Sequence, residues 1–461
     1  MDELVGARNA GSFRDPAGFV FRRGGVLYRQ VNALHRDAYD RFVGSGLAER
    51  LQTQGSLIPF EEVDVEPVDA DAYRILRPDE IEFVSYPYEW SFSQLRDAAL
   101  ATLDVQSIAL EHEMSLRDAS AYNVQFHRGR PVLIDTLSFE PKEEGPWLPY
   151  RQFCSHFLAP LALMSTRDVR LGSLLREHID GIPLDLAAKL LPRRARLRPG
   201  LALHVVAHAR SQHRHGSDGK HMERYRRRFS GSALRGLLDS LRSVIRSLDA
   251  PRGTSTWRNY YDEAAHYTED AAASKGSTIE SFLDEISPST VWDLGANTGR
   301  FSLLATRRGI DTVAFDLDPY AIEAAYVAAR EHGDRHLLPL VMDLTNPSPP
   351  IGWGNAERMT LAERGPADLV LCLALVHHLA IGNNVPLRMI SEYLASLGRH
   401  LAVEFVPKDD VRVQQLLSSR ADIFPDYSVE GFEESFSRPF EVVRREPVAG
   451  SSRLLYLLKR R

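Results

Sequence analysis

The stretch that decides the fold is residues 291–302, Val-Trp-Asp-Leu-Gly-Ala-Asn-Thr-Gly-Arg-Phe-Ser. It reads as a short apolar strand, a turn with two glycines and the start of an amphipathic helix. Glycine tolerates positive φ and has no side chain, so Gly295 and Gly299 let the backbone approach a ligand that larger residues would exclude. Asp293, near the end of the strand, can receive a cationic group. The pattern alone is weak, because such a glycine also serves helix-strand packing.

Alternating helix and strand patterns continue after this turn. They occupy residues 301–309, 311–318, 320–332, 336–343, 367–379, 385–397 and 400–406. Asp316 closes the second strand pattern about twenty residues past the glycines, where a ribose diol would lie, and Asp343 closes the third. The run 367–379 is long and mostly apolar, which is typical of a strand buried on both faces. Five alternations predict an open, doubly wound parallel sheet that binds its ligand at the carboxyl ends of the strands.

In order and spacing these residues resemble the class I S-adenosylmethionine-dependent methyltransferases, over roughly residues 255–461. The resemblance implies S-adenosylmethionine as the cofactor. It also implies that the methionine end is held by the first acid and the glycine turn, at Asp293, Gly295, Asn297 and Gly299. By the same resemblance Asp316 binds the ribose and Asp343 meets the adenine amino group. Asn297 stands where many members have glycine, and asparagine tolerates the positive φ of such a position.

The end of the chain fits the same sheet. Two β-rich segments, 440–447 and 453–459, match the antiparallel pair with which methyltransferase sheets finish. For the C-terminal half we therefore predict an α/β fold, a doubly wound Rossmann-like methyltransferase sheet with an antiparallel last strand.

Methyl transfer needs neither a metal nor a nucleophile cluster, because the sulfonium carries its own leaving group and the protein mainly aligns an acceptor. No metal is therefore expected. A base assists some acceptors, and His377 and His378 follow the fourth strand, near where the cofactor methyl would point. A histidine pair at a strand end also serves as a cap or a packing feature, so both interpretations stay open. Glu404 on the fifth strand is expected either to face the acceptor pocket or to be solvated.

A helical pattern before the sheet contains aromatic residues and one cation. The aromatic residues are Trp257, Tyr260, Tyr261 and Tyr267, and the cation is Lys275. They fit a lid over the adenosyl and carboxylate groups of the cofactor, but a helix face that packs on the sheet has the same composition. For the tyrosines we favour packing, and for Lys275 we favour a contact with the cofactor.

The methyl acceptor is not given by the sequence. The fourth strand is not followed by Asn-Pro-Pro-Tyr or Asp-Pro-Pro-Tyr, with which the family's nucleic-acid branch grips a flipped base, so base methylation is disfavoured. A net charge of -6 also argues against a nucleic acid partner. Residues 193–228 hold eleven Lys or Arg against two acids. We interpret this block as a solvated face or loop in preference to an anion-binding surface.

The N-terminal half contains a second informative stretch, residues 115–135, Ser-Leu-Arg-Asp-Ala-Ser-Ala-Tyr-Asn-Val-Gln-Phe-His-Arg-Gly-Arg-Pro-Val-Leu-Ile-Asp. It resembles the catalytic loop and the following hairpin of the protein-kinase-like fold, a resemblance that covers roughly residues 15–245. The resemblance implies that Asp118 orients an acceptor hydroxyl and that Asn123 and Asp135 hold magnesium, with ATP as the further ligand. Gly129 fits the turn of the hairpin.

An active kinase would need a further residue that this half lacks. Residues 1–141 contain no lysine, so the phosphate-pairing lysine has no candidate, and arginine is a poor substitute for its compact charge. The alternative is an unrelated α+β domain in which Asp118 and Asn123 cap turns and Asp135 ends a strand. We expect an α+β, kinase-like domain whose catalytic competence stays open.

The chain has 461 residues, more than one methyltransferase domain needs, and its length indicates two or three domains. Further helical patterns at 93–113, 152–163, 171–178, 184–191 and 232–248 fit a helical lobe. The best linker is Asp-Ala-Pro-Arg-Gly-Thr-Ser-Thr at 249–256. We predict an N-terminal domain at 1–248, a linker at 249–256 and a methyltransferase domain at 257–461.

Composition indicates a soluble, cytoplasmic protein. No apolar stretch reaches the roughly twenty residues of a membrane span, the N-terminus lacks a secretory core, and Cys154 and Cys372 offer no disulfide framework. Three functions stay open. The chain is a methyltransferase whose N-terminal half recognises or delivers the acceptor, a bifunctional enzyme that adds phosphoryl transfer with ATP and magnesium, or a non-catalytic scaffold that binds S-adenosylmethionine. The sequence does not give the oligomeric state.

Overall fold

The computed structural model describes residues 7–210, 231–251, 269–418 and 420–461. The chain forms two units, residues 1–252 together with 351–358, and residues 253–350 together with 359–461. Three sequence-based predictions fall wholly or largely outside the described residues. They are the lid aromatics Trp257, Tyr260, Tyr261 and Tyr267, the basic residues 211–228, and the linker residues 252–256.

The first unit begins with a five-stranded antiparallel sheet. Its strands are β1 (Ala7–Arg8), β2 (Gly18–Arg23), β3 (Val26–Asn32), β4 (Phe60–Val63) and β5 (Ala72–Pro78), in the order β1-β2-β3-β5-β4. Gly24 and Gly25 both have positive φ, 58° and 80°, so a two-residue turn joins β2 to β3. Phe19, Phe21 and Ile75 form a buried cluster on this sheet.

Two short strand pairs follow in the same unit. They are β6 (Met114–Leu116) with β9 (Phe139–Pro141), and β7 (Val124–His127) with β8 (Arg130–Leu133). Arg128 and Gly129, with φ of 49° and 73°, form the turn between β7 and β8. A hairpin is therefore present where the sequence predicted one.

Helices make up most of the rest of the first unit. They are α1 (Arg36–Gly44), α2 (Leu47–Thr53), α3 (Phe92–Glu111), α4 (Tyr150–Phe153), α5 (Ala159–Thr166), α6 (Leu174–Glu177), α7 (Leu184–Leu190), α8 (Arg193–Arg196), α9 (Pro199–Leu201) and α10 (Gly231–Arg246). Ser91 caps α3, because its hydroxyl accepts from the backbone N–H of Gln94 while the Gln94 side chain accepts from the N–H of Ser91. A π-helical segment, Cys154–Leu158, joins α4 to α5 in one helical run.

The second unit is built on a seven-stranded sheet. Its strands are β10 (Thr290–Leu294), β11 (Asp311–Asp316), β12 (Leu337–Val341), β13 (Ala367–Cys372), β14 (Gly398–Phe405), β15 (Phe440–Pro447) and β16 (Leu454–Arg460). The order is β12-β11-β10-β13-β14-β16-β15. The strands from β10 to β14 are parallel, and β16 runs antiparallel to both of its neighbours. The predicted methyltransferase-like sheet with an antiparallel last strand is confirmed.

Helices lie along the chain between and before these strands. They are α11 (Glu269–Ile286), α12 (Ser302–Thr306), α13 (Pro319–His332), α14 (Leu387–Leu397), α15 (Val411–Leu417) and α16 (Val429–Ser437). Ile279 and Phe282 of α11 pack in one buried cluster with Val291, Leu369 and Leu457 of the sheet. Throughout the described ranges, no helix combines the length and the apolar character that crossing a membrane requires.

The fourth strand is shorter than the sequence predicted. The apolar run 367–379 does not continue as one strand, because the backbone turns at Ala374, with φ of 51°, and a π-helical segment, His378–Gly382, follows. Apolar composition does not distinguish a buried strand from a buried helical turn, which explains the difference. The turn separates the histidine pair from β13, and the pair lies at the start of the π-helical segment.

A segment between β12 and β13 departs from the predicted continuous methyltransferase domain, since Ile351–Arg358 is grouped with the first unit. The Glu357 carboxylate accepts from the Arg14 guanidinium at 2.8 Å. The guanidinium of Arg358 lies over the ring of Tyr122, 4.3 Å from its centroid. A short excursion of this kind leaves no periodic signal, so the pattern of the sequence does not reveal it.

Candidate cofactor and catalytic site

The turn between β10 and α12 contains the predicted cofactor residues. Gly295, Asn297 and Gly299 have φ of 76°, 54° and 82°. The backbone N–H groups of Gly295 and Ala296 both donate to the carbonyl of Phe315, at 2.8 and 2.9 Å, and so fasten the turn to β11. Asparagine at the middle position takes the left-handed conformation that the sequence analysis assigned to it. β-Branched residues would therefore be strained in the backbone conformation that these three positions adopt.

Asp316 lies at the end of β11 and bonds to this turn. Its Oδ2 accepts from the backbone N–H of Asn297 at 2.7 Å, and its Oδ1 accepts from the backbone N–H of Asp318 at 2.8 Å. Burial raises the pKa of Asp316, and the two backbone donors oppose this rise. One carboxylate thus links the turns that follow β10 and β11, at the carboxyl edge of the sheet.

Asp293 is enclosed at the end of β10. Its Oδ2 accepts from the hydroxyl of Ser302 at 2.7 Å. Burial raises the pKa of Asp293 to about 6, although Ser302 and Lys275 oppose this rise. The carboxylate is therefore mostly ionised at neutral pH and becomes protonated under mildly acidic conditions.

Lys275, for which the sequence predicts a contact with the cofactor, lies in α11 and is buried. Its ammonium group forms an ion pair with Glu404 and lies 4.7 Å from the centroid of the Phe301 ring. Glu404 also pairs with Arg453, at 3.4 Å. The interpretation of Glu404 as a solvated residue is wrong, because its side chain is completely buried.

Asp343 follows β12, beside β11 in the sheet. Its Oδ1 accepts from the backbone N–H of Thr345 at 2.8 Å and from the hydroxyl of Thr345 at 2.6 Å. The side chain is partly exposed. Asp343 thus follows the strand next to the one that ends at Asp316, and its contact with the adenine amino group stays a prediction.

His377 and His378 follow the turn after β13, with ring centroids 4.1 Å apart. The His377 side chain is 0% exposed, and neither of its ring nitrogens has a hydrogen-bond partner among the described residues. Burial holds the pKa of His377 well below its usual value, and burial lowers the pKa of His378 to about 4. Both rings are neutral at physiological pH. A buried imidazole without partners is costly, which favours a role with a bound ligand.

Known proteins are similar to this chain in sequence. A family profile described as a methyltransferase domain matches residues 292–401. The nodulation protein NoeA of Rhizobium meliloti (strain 1021) is 37% identical over 463 residues, which cover 98% of this chain and 96% of that protein. The chain belongs to the NoeA family.

Two solved structures are similar to a smaller part of this NoeA-family chain. The bifunctional kinase-methyltransferase WbdD is 17% identical over 44% of this chain and 42% of its own, with a TM-score of 0.31. The magnesium protoporphyrin IX methyltransferase ChlM from Synechocystis PCC 6803, solved with bound SAH, is 18% identical over 44% of this chain and 98% of its own, with a TM-score of 0.31.

The first unit of the NoeA-family chain brings Asp118 and Asn123 together. The side chains of Asn123 and Gln152 lie near Asp118 and favour its ionised form, and Asp118 Oδ1 accepts from the backbone N–H of Ser120 at 2.8 Å. Burial raises the pKa of Asp118, and the charge of Asp135 adds to the rise. The predicted loop residues are therefore neighbours in a partly buried, polar region.

Asp135 is paired with a cation that the sequence analysis did not identify. Arg29, in the middle of β3, donates to the Asp135 carboxylate, which also accepts from Ser138 and from the backbone N–H of Leu137. Burial disfavours the charge of Asp135, but these partners outweigh it and lower the pKa of the carboxyl. The residue is an arginine, so the absence of lysine from residues 1–141 does not mean that this region lacks a cation for Asp135. The sequence signal that could have indicated this ion pair is a basic residue, Arg29, in the centre of a short β-rich run.

Magnesium would compete with Arg29 for the Asp135 carboxylate. A cation at Asp135 would have to displace Arg29 from the carboxylate that both would share. Within the described part of the chain, no group of three or more His, Cys, Asp or Glu side chains is arranged to hold a metal ion.

Proposed function

We propose that this NoeA-family chain is an S-adenosylmethionine-dependent methyltransferase whose acceptor is not a nucleobase and is recognised or delivered by the N-terminal unit. The observation that carries the proposal is the turn after β10. There, three residues with positive φ lie between the carboxyl groups of Asp293, which is buried, and Asp316, which is partly buried. The matched methyltransferase domain supports the proposal.

The residues at this edge of the sheet fit the cofactor. Ionised Asp293 would bind the ammonium group of the methionine end, and Asp316 has lone pairs beyond its two backbone donors for the ribose hydroxyls. Because Gly295 and Gly299 have no side chain, the ligand could approach the backbone closely at these positions. Asp343 would accept from the adenine amino group. When bound, the cofactor supplies an activated methyl group with its own leaving group.

On the acceptor side we assign the proton-accepting role to His377, with His378 as its neighbour. A neutral imidazole has a lone pair available for a proton from a hydroxyl, amine or thiol. His377 is the stronger candidate of the two because both of its ring nitrogens lack partners among the described residues. Its burial would also exclude water from the proton transfer.

Replacement of Asp316 tests the ribose assignment. We expect Asp316→Ala to weaken S-adenosylmethionine binding by about 1–3 kcal/mol, because charge-assisted hydrogen bonds to the ribose are lost. Titration calorimetry measures the change. Asp311→Ala is the matched control, since Asp311 begins the same strand and pairs with His336 at 2.7 Å. Equal affinities for the two variants would contradict the assignment.

A second candidate function is phosphoryl transfer by the N-terminal unit. The arrangement that favours it is the loop from Asp118 to Asn123 followed by the β7-β8 hairpin and Asp135. If it is correct, calorimetry detects binding of ATP with magnesium, and Asp135→Ala weakens that binding about tenfold or more. Asp168→Ala, which removes an acid paired with Arg170 at the surface, is the control. An unmodified chain that gives no heat with ATP and magnesium excludes this function.

A further inference from the structure

Four charged side chains form a connected chain in the second unit. Lys275 of α11 pairs with Glu404 of β14. Arg453, just before β16, pairs with Glu404 at 3.4 Å and with Asp410 at 2.8 Å. The chain thereby joins the helix that precedes the sheet to the carboxyl end of β14 and to the start of β16.

Stability alone does not explain such an arrangement. Lys275 and Glu404 are 3% and 0% exposed, and removing two charges from water costs as much as their attraction returns. Burial opposes the charge on both partners, but Lys275 and Arg453 together outweigh it at Glu404 and lower the pKa of that carboxyl. Burial lowers the pKa of Lys275, but the ionised Glu404 opposes this fall and favours the protonated lysine. The ion pair therefore favours a positive charge on Lys275 inside the unit.

A path of contacts through Phe301 and Ser302 leads from this charge to Asp293. The Lys275 ammonium rests on the Phe301 ring, 4.7 Å from its centroid, and the residue after Phe301 is Ser302, whose hydroxyl donates to Asp293 at 2.7 Å. Lys275 attracts Asp293 electrostatically. The ammonium of Lys275 is thus engaged with Glu404 while its charge acts on Asp293.

We infer that Lys275 is a positioning residue, which supplies the charge that keeps Asp293 ionised for the ammonium group of the cofactor and does not itself contact the cofactor. This inference rests on the proposed function. It revises the sequence-based expectation that Lys275 binds the cofactor directly. Glu404 and Phe301 hold the lysine in place for this role.

The sign of the pH dependence follows from the groups around Asp293. Lys275 from α11 and Ser302 from α12 favour its ionised form, while Asp316 from β11 disfavours it. From β13 the facing group is the Cys372 thiol, whose pKa burial raises, so that it is neutral. Beyond Lys275 lie Glu404 and Arg453, which pair with each other, and His377, which is neutral.

Because the pKa of Asp293 is about 6, cofactor affinity is expected to fall as the pH drops through that value. Loss of the Lys275 charge raises this pKa further. Without the Lys275 charge, affinity is therefore lost at a higher pH than in the unmodified chain. In alkaline solution Asp293 is ionised with or without that charge, so the two affinities are equal there.

The test is calorimetric titration of the full chain with S-adenosylmethionine from about pH 5 to about pH 9. Two neutral variants are compared with the unmodified chain, Lys275→Gln, which keeps a donor for Glu404, and Lys275→Met. We expect the midpoint of the pH dependence to rise by about one unit, which is about a tenfold loss near neutral pH, with unchanged affinity at the alkaline end. Lys275→Arg keeps the charge and is expected to retain the original midpoint.

A second ligand serves as the control. Methylthioadenosine lacks the amino-acid end of the cofactor, so its affinity is expected to show neither the acidic loss nor an effect of Lys275. A variant that loses affinity for S-adenosylmethionine equally at every pH indicates a direct contact and overturns the inference, as does an unshifted midpoint. Failure of the unmodified chain to bind S-adenosylmethionine at any pH is a different result, because it overturns the proposed function itself.

Discussion

Gly295→Val is expected to abolish detectable binding of S-adenosylmethionine while the chain stays folded. Gly295 has φ of 76°, which a β-branched residue adopts only at a cost of about 1–3 kcal/mol. A Cβ at this position would also lie 3.4 Å from the Leu375 side chain. The added methyl groups of valine would then fill the space that the cofactor needs beside the turn. Calorimetry measures the loss, and circular dichroism checks the fold.

Gly333→Val is the matched control for backbone strain. Gly333 also has positive φ, 68°, at the carboxyl end of α13, and a Cβ there meets no described atom within 4 Å. This variant is expected to lose stability to a similar extent but to bind the cofactor normally. Unaltered affinity in Gly295→Val would show that the turn after β10 does not hold the cofactor.

His377→Gln is expected to slow methyl transfer by about 10²–10⁴-fold, the usual contribution of a general base. The physical reason is that His377 is buried and neutral, and that neither ring nitrogen is bonded to a described residue. Transfer of a labelled methyl group from S-adenosylmethionine to the components of a cell extract measures the rate. Mass spectrometry of the labelled product identifies the acceptor in the same experiment.

His378→Gln is the control, because it removes the neighbouring ring and leaves His377 in place. We expect it to retain most of the rate. Binding of S-adenosylmethionine should be the same in both variants and in the unmodified chain. If His377→Gln transfers methyl groups at the normal rate, or if it loses the cofactor, the ring has a structural role and not the role of a base.

The sequence predicted those parts of the candidate site whose conformation depends on residues that are neighbours in the chain. Gly295, Asn297 and Gly299 follow a strand directly, and their backbone conformation is a property of the residues themselves. The order of strands followed from the alternation of patterns and from the resemblance to methyltransferases. The hairpin at Gly129 was predicted from its own turn residues.

The interactions that the sequence did not predict join residues that are far apart in the chain. Lys275 and Glu404 are separated by 129 positions, and Arg29 and Asp135 by 106. No periodic pattern links such pairs. Each of these charged residue types, taken alone, is typical of a solvent-exposed position. Burial, which decides that they must pair, exists only in the folded chain.

The most direct measurement of the central claim is a titration of the intact, unmodified chain with S-adenosylmethionine at neutral pH. The claim predicts a saturable heat of binding, because Asp293 is mostly ionised there and the turn after β10 is already formed. Absence of any heat of binding across the titration would contradict it.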